Sequence, residues 1–150
     1  MKRTLLVAVA GLAVAGLGYI RLAPMDPVEW HVDPEAAQRT GNPNDYLVAD
    51  GGDRPAARSD VLPGALMARL DEVALAEDGT ERLAGSPEGG FVTYVQRSRI
   101  MGYPDAISVR AVPDGDGSRL TIYSRSRYGK SDMGVNEARV KRWLAALDLT

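Results

Sequence analysis

The sequence predicts an α+β domain of two layers, an antiparallel meander of about four strands with an N-terminal and a C-terminal helix on one face, preceded by one transmembrane helix. Three observations predict it. A charge-free apolar run opens the chain, two segments with apolar residues at helical spacing bracket its second half, and four β-rich runs separated by glycine and proline lie between them. A hydrophobic fraction of 45% with 25% charged residues is ordinary for a globular chain, and 150 residues leave room for one core.

Met1-Lys2-Arg3 is followed by Thr4 to Ile20, a run of mainly Leu, Val, Ala and Gly that partitions into hydrocarbon as a helix because its backbone is satisfied internally. With Arg21 snorkelling to the interface, residues 4–23 just cross ~30 Å of hydrocarbon at ~1.5 Å per residue. The basic flank predicts a cytoplasmic N-terminus, hence a single-pass inner-membrane anchor (residues 1–23) with the rest facing the periplasm. The alternative is a signal peptide cut at Ala13-Val14-Ala15, which secretes the same domain to the periplasm.

Residues 24–58 are rich in Pro, Gly and acidic side chains and hold no sustained period, which predicts an extended, partly ordered connector anchored by Trp30-His31. The domain proper is then residues 59–150. Ser59 or Asp60 as cap, Pro63 in the first turn and Leu62, Leu66, Met67, Leu70, Val73 and Ala74 on one face predict a helix that runs to about Glu77 and stops at Asp78-Gly79. Strands are predicted over Thr80–Ala84, Phe91–Arg99, Ala106–Val112 and Leu120–Arg125. The turn Asp114-Gly115-Asp116-Gly117-Ser118 imitates the opening of a calcium loop, but Arg119 and Arg125 occupy the positions that need glycine and a bidentate glutamate, so it is a hairpin turn. The last helix begins near Asn136, a good cap, and buries Val140, Trp143, Leu144 and Leu147. The sheet face away from the helices is expected to show Arg110, Tyr123, Arg125 and Tyr94 to solvent or a partner.

The absence of cysteine excludes disulfides, thiolate zinc sites and a cysteine nucleophile, and the single histidine, His31, excludes a two-histidine metal site. No metal, cofactor or nucleic acid is expected. The net charge of −2 hides a segregation: residues 24–90 carry five basic and fourteen acidic side chains, residues 91–150 ten basic and six acidic. Either the halves attract each other or the basic half meets an anionic partner.

Between the fourth strand and the last helix runs Ser124-Arg125-Ser126-Arg127-Tyr128-Gly129-Lys130-Ser131-Asp132-Met133-Gly134-Val135-Asn136, then Arg139. This stretch resembles the C-terminal signature R-S-x-S-R-x-G-x-S-D-x-G-x-N-x-x-R of the bacterial family named domain of unknown function 1499. Tyr123 stands where the signature has its first arginine. The resemblance reaches back through Tyr103-Pro104-Asp105, covers about the last 85 residues, and implies no reaction. Read from the residues, the loop is either a tight turn with Asp132 and Asn136 at a helix N-terminus and Arg127 paired to Asp132, or a binding site. In the second reading Arg125, Ser126, Arg127, Lys130, Ser131, Asp132, Asn136 and Arg139 surround a phosphate or carboxylate. Gly129-Lys130-Ser131 copies the end of a P-loop, but Ser124 replaces its first glycine and no second βαβ unit exists. A Ser–Lys pair of Lys130 with Ser126 or Ser131 is the one hydrolase arrangement available. The expected function is an anchored envelope accessory domain that binds an envelope protein, an anionic small molecule or a lipid headgroup. The alternative is a helix-grip-like pocket for a small hydrophobic ligand, which demands a cavity between sheet and helix.

Overall fold

In the computed structural model, which describes residues 2–149, the apolar run forms α1 (Lys2–Arg21). From Thr4 to Arg21 it is long and apolar enough to cross a membrane, and none of it is buried against the domain. The chain continues through α2 (Pro27–Trp30), β1 (Asp45–Val48), β2 (Ala57–Ser59), α3 (Pro63–Leu75), β3 (Thr80–Ser86), β4 (Phe91–Arg97), β5 (Pro104–Asp114), β6 (Gly117–Ser126) and α4 (Val135–Ala146).

The expected meander is β3-β4-β5-β6, antiparallel throughout. Two further strands come from the segment expected as connector. β1 and β2 lie end to end along the outer edge of β6, with Asp45 opposite Arg125, Val48 opposite Ile122, Ala57 opposite Leu120 and Ser59 opposite Ser118. They share one edge position, interrupted by the turn at Asp50-Gly51-Gly52-Asp53, so each is too short to show a period of two in the sequence. Their pairing covers the long β6 edge and leaves β3, charged and bulged between Arg82 and Ala84, as the other edge.

α3 and α4 cover one sheet face, as their apolar spacing predicts. Leu66, Met67, Leu70 and Ala74 of α3 and Val140, Trp143 and Leu144 of α4 are fully buried against Val92, Tyr94, Ile107, Val109, Leu120 and Ile122. α3 is shorter than predicted and starts at Leu62 without a side-chain cap, because Ser59 Oγ instead accepts from the Val61 amide at 3.1 Å. Tyr94, expected on the opposite face, stands edge-on to Trp143 at 5.7 Å and donates to Asp71 Oδ1 at 2.9 Å. The run Val92-Thr93-Tyr94-Val95 is buried on both sides and hides its own alternation.

The opposite face is not open. The segment ahead of β1 lies across it: Met25 and Trp30 pack on Val95 and Ala106, and Ala37 on Leu47, Ala49 and Tyr123. His31 stacks on Phe91 at 3.8 Å and is hydrogen-bonded to Thr93 Oγ1 at 2.8 Å. Burial lowers the His31 pKa, with Asp33 opposing. Arg110 pairs with Asp33 at 2.6 Å and Arg119 with Glu35 at 2.7 Å, so charges of the acidic half are met by the basic half of the same chain. Tyr123 and Arg125, expected exposed, are buried, because the segment ahead of β1 covers this face of the two-layer domain. Burial and a hydrogen bond to Asp45 push the Tyr123 hydroxyl up to about 12.

Candidate functional site

The signature residues meet at the end of the sheet where β4 and β6 finish and β5 begins. The first amides of a helix lack intrahelical partners, and here Asp132 supplies them. Its Oδ1 accepts from the Gly134 amide at 2.9 Å and its Oδ2 from the Asn136 amide at 2.8 Å. Met133 (φ 56°) and Gly134 (φ 80°) both take left-handed backbone to let the carboxylate reach. The N-cap position is Gly134, and Asp132, two residues before it, supplies the carboxylate that the sequence expected from a cap at Asn136.

Asn136 lies one step inside α4 and is fully buried. Its amide nitrogen donates to Asp132 Oδ2 at 2.7 Å, Ser126 Oγ at 2.9 Å and the Asn44 carbonyl at 3.1 Å, while its oxygen accepts from Ser124 Oγ at 2.6 Å. One turn on, the side chain of Arg139 is 3% exposed and pairs with Asp105 at 2.7 Å. It also donates to Gln96 Oε1 at 2.5 Å, Asn136 Oδ1 at 2.7 Å and Ser124 Oγ at 3.0 Å. Every nitrogen of this buried guanidinium-amide pair has an acceptor, the condition under which a buried polar network specifies one packing. It clasps α4 to β4, β5, β6 and the segment before β1.

The remaining candidates lie elsewhere. Arg125 is on the connector face, between the rings of Trp30 (5.0 Å) and Tyr123 (4.8 Å), and donates to the Trp30 carbonyl at 3.0 Å. Burial lowers its pKa. Arg127 donates to the Pro24 carbonyl and stacks over Tyr128 at 5.3 Å, so the expected Arg127–Asp132 pair does not form. Lys130 and Ser131 are exposed. Ser131 Oγ accepts from the Met133 amide at 3.3 Å and Ser126 Oγ from Asn136, so neither hydroxyl is set against Lys130 as a Ser–Lys pair requires. Thus Ser126, Asp132, Asn136 and Arg139 come together, while Arg125, Arg127, Lys130 and Ser131 do not join them. Sequence reasoning missed Asn44 and Gln96. No period marks Asn44, and Gln96 was placed within a strand without a role.

Beside the clasp a cleft of about 420 Å³ opens between the β4–β5 loop and the β6–α4 loop. Tyr103, Tyr128, Met133 and Val135 form its apolar walls, and Ser98, Ser126 and Ser131 supply hydroxyls. The Tyr128 hydroxyl is buried and has no hydrogen-bond partner. The space between sheet and helices, where a helix-grip pocket would lie, is filled by Trp143, Tyr94, Leu66 and Met67, which removes that alternative. Among the described residues no group of three His, Asp or Glu side chains is placed to hold a metal ion.

The fold and site define an α+β domain preceded by an apolar helix, with its signature residues gathered in a buried clasp beside a small cleft. The chain belongs to the family described as Protein of unknown function (DUF1499), whose model matches residues 26–147. The match begins well before the stretch carrying the resemblance and takes in the connector, in keeping with its place in the fold. No curated protein and no solved structure matches the chain.

Proposed function

We propose that the chain is a single-pass inner-membrane protein whose periplasmic domain acts as an accessory module and binds an amphiphile with an anionic headgroup in the cleft beside the clasp. The observation carrying this reading is the Tyr128 hydroxyl, a buried donor left unpaired on a residue that lines the cleft together with the apolar Tyr103, Met133 and Val135 and the polar Ser98, Asp105, Ser126, Ser131 and Asp132. A buried polar group without a partner is costly, and a ligand oxygen relieves that cost. The apolar walls suit a hydrocarbon portion, and Lys130, exposed between the lining residues Gly129 and Ser131, supplies a cation for a phosphate or carboxylate. Ser126, Ser131 and Asp132 line the cleft, and Asn136 and Arg139 hold its wall from behind, while Arg125 and Arg127 lie outside it.

The test is native mass spectrometry with lipid extraction on the full chain in detergent, comparing wild type with Tyr128→Phe. Wild type is expected to retain a bound amphiphile, and Tyr128→Phe to hold it roughly tenfold more weakly through loss of one charge-assisted hydrogen bond. Wild type that carries no amphiphile, or a Tyr128→Phe protein that carries it equally, overturns the reading.

A further inference from the structure

We infer that the end of the domain built from the β4–β5 loop and the β6–α4 loop seats on the lipid surface from which α1 emerges, with Ile100, Met101 and Met133 at the boundary between headgroups and acyl chains. The inference rests on the membrane-spanning part of the proposed function and is independent of whether the cleft is filled.

The first ground is the connection between helix and domain. No free linker separates them. Arg21, the last residue of α1, donates through Nη1 to the Ile100 carbonyl at 2.6 Å. Gly102 (φ 73°) lies so close that a Cβ there would fall 2.5 Å from Arg21 Cγ. Arg97 Nη2 donates to the Ala23 carbonyl at 2.8 Å, Arg127 holds the Pro24 carbonyl, and Ala23 and Met25 are buried. The β4–β5 loop is therefore fixed beside the point where a spanning α1 leaves the hydrocarbon.

The second ground is what that end displays. Ile100 is 80% exposed and Met133 94% exposed, with Met101, Tyr103, Val135 and Leu22 also open. Apart from α1, which the bilayer takes up, and single residues such as Val28 and Leu62, the large exposed apolar side chains of the chain gather here. Met133 is the sharpest case. The Asp132 carboxylate holds its backbone at φ 56°, a conformation few side chains adopt, and so turns an unbranched apolar side chain away from the protein. Arg99 and Lys130, exposed on the same two loops, suit anionic headgroups, while Asp26, Asp78 and Glu137 are exposed acids close to this end. At the opposite end the β5–β6 hairpin carries Asp114 and Asp116 and no large apolar side chain. Apolar tips with flanking cations beside a membrane exit match an interfacial seat.

The natural absence of cysteine makes the test clean. The full chain is reconstituted in vesicles of phosphatidylglycerol and phosphatidylethanolamine in equal parts, with single cysteines at Ile100, Met133, Asp116 or Leu12 carrying a small fluorophore. Lipids with a nitroxide near the headgroup are expected to quench positions 100 and 133 about twofold more than position 116, as shallow insertion requires. Quenching at Leu12 by mid-chain nitroxides reports the span itself. Labels at 100 and 133 quenched no more than at 116 while Leu12 is quenched overturn the seat alone; a Leu12 label that escapes quenching overturns the span and the seat together.

Discussion

Replacing Arg139 by Met measures whether the signature is a structural clasp. The substitution keeps an unbranched chain of similar length in α4 but removes a guanidinium that is almost wholly buried and bonded to Asp105, Gln96, Ser124 and Asn136. Asp105 then keeps a buried charge with no cation against it, and breaking a buried pair from one side costs about 3–5 kcal/mol. For a domain of this size each kcal/mol is worth about 3–5 °C, so the midpoint should fall by roughly 10–20 °C. The assay is thermal unfolding of the full chain in detergent, followed by tryptophan fluorescence, since Trp143 lies one turn beyond Arg139 and reports the packing of α4 on Tyr94. Lys130→Ala, a change at an exposed loop position, is the reference and should stay within about 0.5 kcal/mol of wild type. The double variant Arg139→Met with Asp105→Leu should lose less than the two single losses combined, because the stranded charge is gone. An Arg139→Met protein that melts within about 2 °C of wild type would refute the clasp.

Two further expectations concern the segment ahead of β1. His31 has its pKa lowered chiefly by burial, so its folded value lies below its unfolded one; its contribution is present above about 6.5 and is lost as pH falls through the folded value. Acidification should loosen this segment from β4, seen as faster amide exchange around Trp30, and His31→Gln should flatten the response; an unchanged response in that variant counts against the assignment. Trp30→Ala removes a buried ring from Met25, Val95 and Ala106 and uncovers Arg125, at a cost of about 3–5 kcal/mol in denaturant titration. A loss below about 1 kcal/mol would mean that the segment lies outside the cooperative unit.

α3 and α4 were legible because Leu66, Leu70, Val140, Trp143 and Leu144 repeat at helical spacing, β5 and β6 because Ile107, Val109, Leu120 and Ile122 alternate, and β3 and β4 only as runs bounded by glycine-rich turns. What escaped is what depends on long-range partners. β1 and β2 have four and three residues and exist only as an edge for β6. Arg125 reads as a surface cation until Trp30, 95 positions earlier, is folded over it. The signature announced a loop at a helix start, and Asp132 does serve that start. That Asn136 and Arg139 point inward toward Asp105 and Gln96, and not outward toward a ligand, follows from the side of α4 that meets the sheet, which spacing alone left open.

The bond from Asn136 to the Asn44 carbonyl joins positions 92 residues apart, and β1 and β2 complete the sheet only against β6. Order of synthesis therefore runs against order of assembly. β1 and β2 emerge early but have no edge to pair with until β6 has followed, so completion of the sheet waits on its last strand. A nascent chain halted before Ser118 would hold β1 and β2 unpaired, a state in which proteases and aggregation compete with folding.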